Sequence, residues 1–303
     1  MSYEDTLYRI AQSDPRVVVM TAENRAPVRS LPSRLGERFI DVGIAEQTLV
    51  GMAAGLALGG RIPVVHALAP FLTMRAFEFI RTDIGIPRLP VKLIGFVPGV
   101  LSDANGPTHQ SLEDIGLMRG IPGMQIFCPA DAAELERGLP QVIDSDAPCY
   151  VRYTAQPRQG EEVAEVLRGR AEVRSRGTDV TLLSFGPLAA EAERARHELE
   201  ARGLSVGSIN LRWLAPLDEL AIARAAMESS VVVTIEDHFL AHGLYSAVAE
   251  LFVRRRITTR LLPIGMDERW FVPGRYDEVL EHAGLSGPRI AARIAEALEQ
   301  KES

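Results

Sequence analysis

Short apolar runs recur along the chain, separated by stretches whose apolar positions return every three to four residues. Residues 17–20, 39–42, 63–66, 91–97, 124–127 and 149–153 carry the first pattern. Runs without polar alternation suit strands buried on both faces, and the intervening spacing suits amphipathic helices. The alternation predicts an α/β fold with a mainly parallel, doubly wound sheet covered by helices on both sides. It stops between residues 154 and 170 in a polar stretch, Gln156-Pro-Arg-Gln-Gly-Glu-Glu, which reads as a linker. A second alternating unit follows, with strands expected at 179–185, 204–209 and 231–235 and helices near 187–202, 217–227, 242–253 and 287–300. The division expected is a first domain over 1–155, a linker over 156–170 and a smaller α/β domain over 171–303, with no internal repeats.

Composition narrows the function classes. A chain of 303 residues can bury two cores, and 47% hydrophobic with 24% charged residues is the balance of a globular protein. The net charge of −7, with no basic block, argues against nucleic acid as a partner. No apolar run reaches the roughly 18 residues that a membrane span needs, and the acidic N-terminus has no signal-like core. A cytoplasmic protein is expected. Cys128 and Cys149 lack metal-ligand spacing and read as buried free thiols.

Several residues stand out as candidate chemistry. In Phe-Ile-Asp-Val-Gly-Ile-Ala-Glu-Gln, residues 39–47, a strand runs through Gly43 to Glu46, and a helix of small residues follows. That turn lies at the strand-end edge where open α/β sheets bind ligands, although a first-turn Glu also simply complements a helix dipole. His109 sits in Asn105-Gly-Pro-Thr-His109-Gln-Ser111, ahead of a helix for which Ser111-x-x-Asp114 suggests a capping box. Phe71, Met74 and Phe77 recur at i, i+3 and i+6, the spacing of one helix face, which serves either as plain core or as a flat apolar wall. His66 ends a strand just before them and could face the same space.

The ordered segments GIAEQ, HALAPFLTMRAF, GPTHQ and IPGMQIFCPAD closely resemble the pyrimidine-binding domain of transketolase-like, thiamine-diphosphate enzymes, and residues 171–303 resemble that family's C-terminal domain. The resemblance implies that Glu46 bonds the cofactor's aminopyrimidine and activates it, with Ile44 lining the site. It makes Phe71 the stacking aromatic, with Met74 and Phe77 beside it, and gives His109, with Asn105 and His66, contacts to substrate oxygens. An acid in this role needs an apolar setting without a cationic partner, which Ile44, Leu49 and the small-residue helix would supply. Glu236-Asp-His238 resembles a structural, interfacial turn of the C-terminal domain.

Three departures bear on substrate. Asn105 stands where sugar-using members carry Asp. Ala155 stands where a phosphate-gripping Arg is usual, while the nearby Arg152 is expected to point away. Thr21-Ala-Glu23-Asn24 replaces an apolar support. No Gly-Asp-Gly…Asn segment for a magnesium-bound diphosphate is present. The resemblance therefore implies a β-type subunit of a split enzyme. A separate N-terminal transketolase subunit would hold the diphosphate and Mg2+, and two chains of each kind would form a heterotetramer around a symmetric dimer. The reaction implied moves a two-carbon ketol or acyl unit from a ketose or 2-oxo donor. The rivals are the β subunit of a 2-oxo acid dehydrogenase E1 component, which GPTHQ disfavours, a transferase to a carrier in specialised metabolism, and a non-catalytic scaffold.

Overall fold

The structure, a computed structural model, describes residues 2–101, 105–158, 165–267 and 269–300. Among the described residues twelve strands form two sheets. The first contains β1 (Val17–Thr21), β2 (Phe39–Asp41), β3 (Ile62–Leu68), β4 (Lys92–Phe96), β5 (Gln125–Phe127) and β6 (Cys149–Arg152). The second contains β7 (Glu172–Ser175), β8 (Val180–Ser184) and β9 (Val206–Asn210), then β11 (Val231–Phe239) and β12 (Arg260–Met266), while β10 (Trp213–Ala215) leaves it to join the first.

The first sheet runs β10-β5-β6-β4-β3-β1-β2, parallel throughout except at its β10 edge. Its strands are nearly all buried, as uninterrupted apolar runs require. The chain passes from β1 to one edge at β2 and then returns past β1 to β3, which creates a change of direction beside β1. Ligands of such sheets bind outside the carboxyl ends of the strands at that place.

The second sheet runs β12-β11-β8-β9-β7, with only β7 antiparallel. Helix Leu188–Ala201 packs on it with Gly287–Glu299. Strands β7, β10 and β12 and helix Tyr276–Ala283 were not foreseen. β12 is only half-buried and β10 is three residues long, so neither leaves a clear apolar run. The expected linker falls partly outside the described residues, at 159–164. The two units interlock around it: Trp213 of β10 is buried against Phe127 of β5, ring centroids 4.8 Å apart. Beside that joint, Arg212 pairs with Glu134 and, at 3.0 Å, with Glu172.

Candidate active site

Glu46, Phe71 and His109 follow β2, β3 and β4 respectively, so the parallel sheet delivers all three to one edge. Before Glu46, Asp41 Oδ1 accepts the Gly43 amide at 3.0 Å, and Gly43 takes a φ of +71° that suits a residue without a side chain. This turn starts helix Glu46–Leu58 with Glu46 as its first residue, near the positive end of the helix dipole. Leu49, Val50, Ala53, Ala54 and Ala57 seat the helix in the core.

The Glu46 side chain is only 4% exposed, yet its Oε2 accepts a hydrogen bond from Arg75 Nη1 at 2.9 Å. The expectation of an acid without a cationic partner is thus corrected. Leu49 is buried as expected, whereas Ile44 is 74% exposed and offers its side chain outward at the sheet edge. The same guanidinium lies over the Phe71 ring, 4.2 Å from its centroid. Phe71 meets the His109 imidazole edge-on at 5.4 Å. Glu46, Arg75, Phe71 and His109 form one contiguous cluster.

Sequence reasoning missed Arg75 because it followed only the apolar positions after Phe71. Residues Phe71–Arg75 and Ile80–Gly85 form π-helical turns around a short α turn. Arg75 stands four positions after Phe71, a spacing at which helical side chains meet, and its guanidinium lies over the ring. Met74 is exposed, and Phe77 packs against the core. The charge interrupting the apolar segment 67–77 was the available signal.

His109 is exposed in a turn closed by its own amide on the Gly106 carbonyl at 3.1 Å, and its Nδ1 meets Thr108 Oγ1 at 2.9 Å. Gly106 holds a φ of +73°, and a side chain there would approach Pro273 Cγ to 2.7 Å, so the second unit braces this turn. Asn105 is exposed in the same turn.

His66 does not reach this cluster. Its ring is fully buried on β3, with Nδ1 donating to the Met20 carbonyl at 3.2 Å and Nε2 accepting from Tyr3 Oη at 2.8 Å. Burial lowers its pKa to about 4. The strand expected to end at His66 runs on to Leu68, and the His66 side chain takes the face covered by helix Tyr3–Ser13, away from the open edge.

The capping box is also corrected. Glu113 is the N-cap of helix Asp114–Arg119 and caps nothing with its side chain. Asp114 is instead buried, accepting from Tyr150 Oη at 2.7 Å and Arg152 Nε at 2.8 Å. Arg152 also reaches Asp237 Oδ1 at 2.6 Å, so its cation ties the two units together and is committed inside the protein. Gly116 N–H donates to His238 Nε2 at 3.2 Å, and His238 Nδ1 donates to its neighbour Phe239's carbonyl. Burial lowers the His238 pKa to about 4, which agrees with the expected structural role. Ala155 lines a cavity of 180 Å3 with Phe96, Val97, Leu101, Tyr153, Thr154 and Gln156, none of them cationic. Cys128 and Cys149 are buried free thiols. Among the described residues no helix is long and apolar enough to cross a membrane, and no group of three His, Cys, Asp or Glu side chains could hold a metal.

Residues 1–159 match the family model of the transketolase pyrimidine-binding domain, and residues 169–290 match that of the transketolase C-terminal domain. The chain belongs to the transketolase family. It is 35% identical over 304 residues to a 6-deoxy-6-sulfo-D-fructose transketolase subunit, SqwH, of a Clostridium species, covering 99% of this chain and 94% of the relative. It is 32% identical to a putative transketolase C-terminal section of Methanocaldococcus jannaschii, covering 99% of this chain and 96% of that one. A solved structure described as a split gene transketolase, an inactive beta4 tetramer, superposes with a TM-score of 0.88 at 33% identity, covering 98% of this chain and 97% of the other. This transketolase-family chain thus has the pyrimidine-binding domain followed by the C-terminal domain, at nearly the full length of split-type relatives.

Proposed function

We propose that this chain is the C-terminal, β-type subunit of a split transketolase-like enzyme that uses thiamine diphosphate to transfer a two-carbon ketol or acyl unit. The observation that carries the reading is the convergence of Glu46, Phe71 and His109 at one sheet edge. The residues fit the aminopyrimidine end of the cofactor: a nearly buried carboxyl and an aromatic face stand on either side of a space now filled by a flat guanidinium. The diphosphate end and its Mg2+ are assigned to a separate N-terminal subunit, in a heterotetramer built on a symmetric dimer of this chain.

When bound, thiamine diphosphate supplies an electron sink for the carbanion formed on the substrate. Glu46 would hold the cofactor's pyrimidine ring through its carboxyl and supply or keep a proton there. Phe71 provides the stacking face and excludes water from it. His109, exposed beside Phe71, hydrogen-bonds a substrate oxygen and moves a proton there, with Asn105 contributing an amide contact. His66 has no part in these contacts, since both its ring nitrogens are engaged in the interior.

The cavity beside Ala155 supports a reading of the substrate class. Without a cation there, and with Arg152 held by Asp114 and Asp237, no bidentate grip on a phosphate is offered, which favours a donor or acceptor without a terminal phosphate. The Clostridium relative is itself named for a fructose bearing a sulfo group at its sixth carbon.

Isothermal calorimetry of thiamine diphosphate with Mg2+ tests the assignment, first with this chain alone and then with the N-terminal subunit added. Binding is expected only in the mixture. Tight binding by the chain alone overturns the split assignment, and silence in both samples returns the chain to a scaffold role.

A further inference from the structure

A single guanidinium makes both contacts that the proposed site reserves for a pyrimidine ring. Arg75 Nη1 donates to Glu46 Oε2 at 2.9 Å, while the guanidinium carbon lies 4.2 Å above the centroid of Phe71. A guanidinium is planar, carries N–H donors in its plane and stacks by its face on aromatic rings. Any flat heterocycle that both stacks on Phe71 and hydrogen-bonds Glu46 must use the face of Phe71 turned toward Glu46. That is the face Arg75 covers, because one side chain reaches both partners at once. The covering group is also free to leave. Its side chain is 43% exposed, whereas the Glu46 side chain is only 4% exposed.

We propose that Arg75 is an internal placeholder for the aminopyrimidine ring: in the cofactor-free chain it occupies the subsite between Phe71 and Glu46, and it is displaced when the ring enters. The inference rests on the reading of Glu46 and Phe71 as the ring-binding pair. It assigns to Arg75 a role in binding that neither residue has. While seated, the guanidinium keeps a nearly buried carboxyl paired and an aromatic face covered, both of which would otherwise be poorly satisfied at an open edge. Entry of the ring exchanges one set of contacts for another of the same kind, so displacement sets a threshold on cofactor affinity.

Calorimetric titration of thiamine diphosphate with Mg2+ into the complex of this chain with the diphosphate-binding subunit provides the test, for wild type, Arg75→Met, Arg75→Lys and Glu46→Gln. Losing one partly exposed ion pair and one cation–π contact should tighten binding by Arg75→Met about five- to tenfold. Arg75→Lys, which keeps the charge without the plane, should fall between the two. Glu46→Gln should weaken binding. Unchanged or weaker binding by Arg75→Met, with Glu46→Gln still weakened, overturns the placeholder and leaves the ring site standing. Indifference of the titration to Glu46→Gln, or absence of binding by wild type, overturns the ring site and the placeholder together.

Discussion

Two clusters near the carboxyl ends of the first sheet contain the same kinds of residue and do opposite things. The outer cluster joins Glu46, Arg75, Phe71 and His109 at the open edge, where the arginine is 43% exposed and the histidine is on the surface. The inner cluster joins Asp114, Arg152, Asp237, Tyr150 and His238, all buried where the two units meet. Arg152 stands between two carboxylates and His238 has both ring nitrogens engaged, so these inner groups are held in place and shut off from a ligand. Burial raises the Asp237 carboxyl's pKa against the pull of Arg152, and lowers that of His238 to about 4. The lesson is that residue type does not separate chemistry from architecture here. Access does.

The sharpest way to break the comparison is Glu46→Gln in the reconstituted enzyme. The rate should fall by about 10²–10⁴, the usual scale for a lost proton-transfer group, with the unfolding midpoint unchanged. A large fall in stability instead would move Glu46 into the architectural class. Arg152→Met should do the converse. Leaving two buried carboxylates without their cation should cost about 3–5 kcal/mol, read as a lower urea midpoint, and a change under 1 kcal/mol would end the claim that this pair locks the units.

The paired histidines sharpen the contrast. His109→Asn should reduce turnover by about a hundredfold at unchanged stability. His238→Asn should lower the urea midpoint and leave the turnover of the folded fraction near wild type. An identical profile for the two variants would erase the distinction.

A last effect concerns pH. His66 titrates near 4 when folded and near its ordinary 6.5 when unfolded, so only the unfolded chain takes up its proton between those values. Stability should be fully present above pH 6.5 and decline as pH falls, by about 3 kcal/mol from this group at pH 4. Urea titrations at pH 7, 5.5 and 4 should show a shallower decline for His66→Gln; equal slopes would remove His66 from the account.

Much of this protein was legible in its sequence. Strand runs such as 17–20 and 149–153 could be located because a strand buried on both faces is apolar at most positions, with Arg152 as the exception in the second. Glu46, Phe71 and His109 could be placed at one edge because parallel strands send their following turns to the same end. The helices at 187–202 and 287–300 were visible in their period.

What only the tertiary structure decided were contacts between residues remote in the chain. The pairing of Arg75 with Glu46 depends on two elements that meet although the residues stand 29 positions apart in sequence. The fate of His66 depends on the side of β3 it faces and on Tyr3 arriving there, 63 residues away in sequence. The commitment of Arg152 depends on Asp237, 85 residues on, and the closing of the first sheet depends on three residues lent by the second unit. Local pattern fixes which face of an element is apolar, because burial acts on each residue separately. Which charge meets which is fixed only when the elements pack.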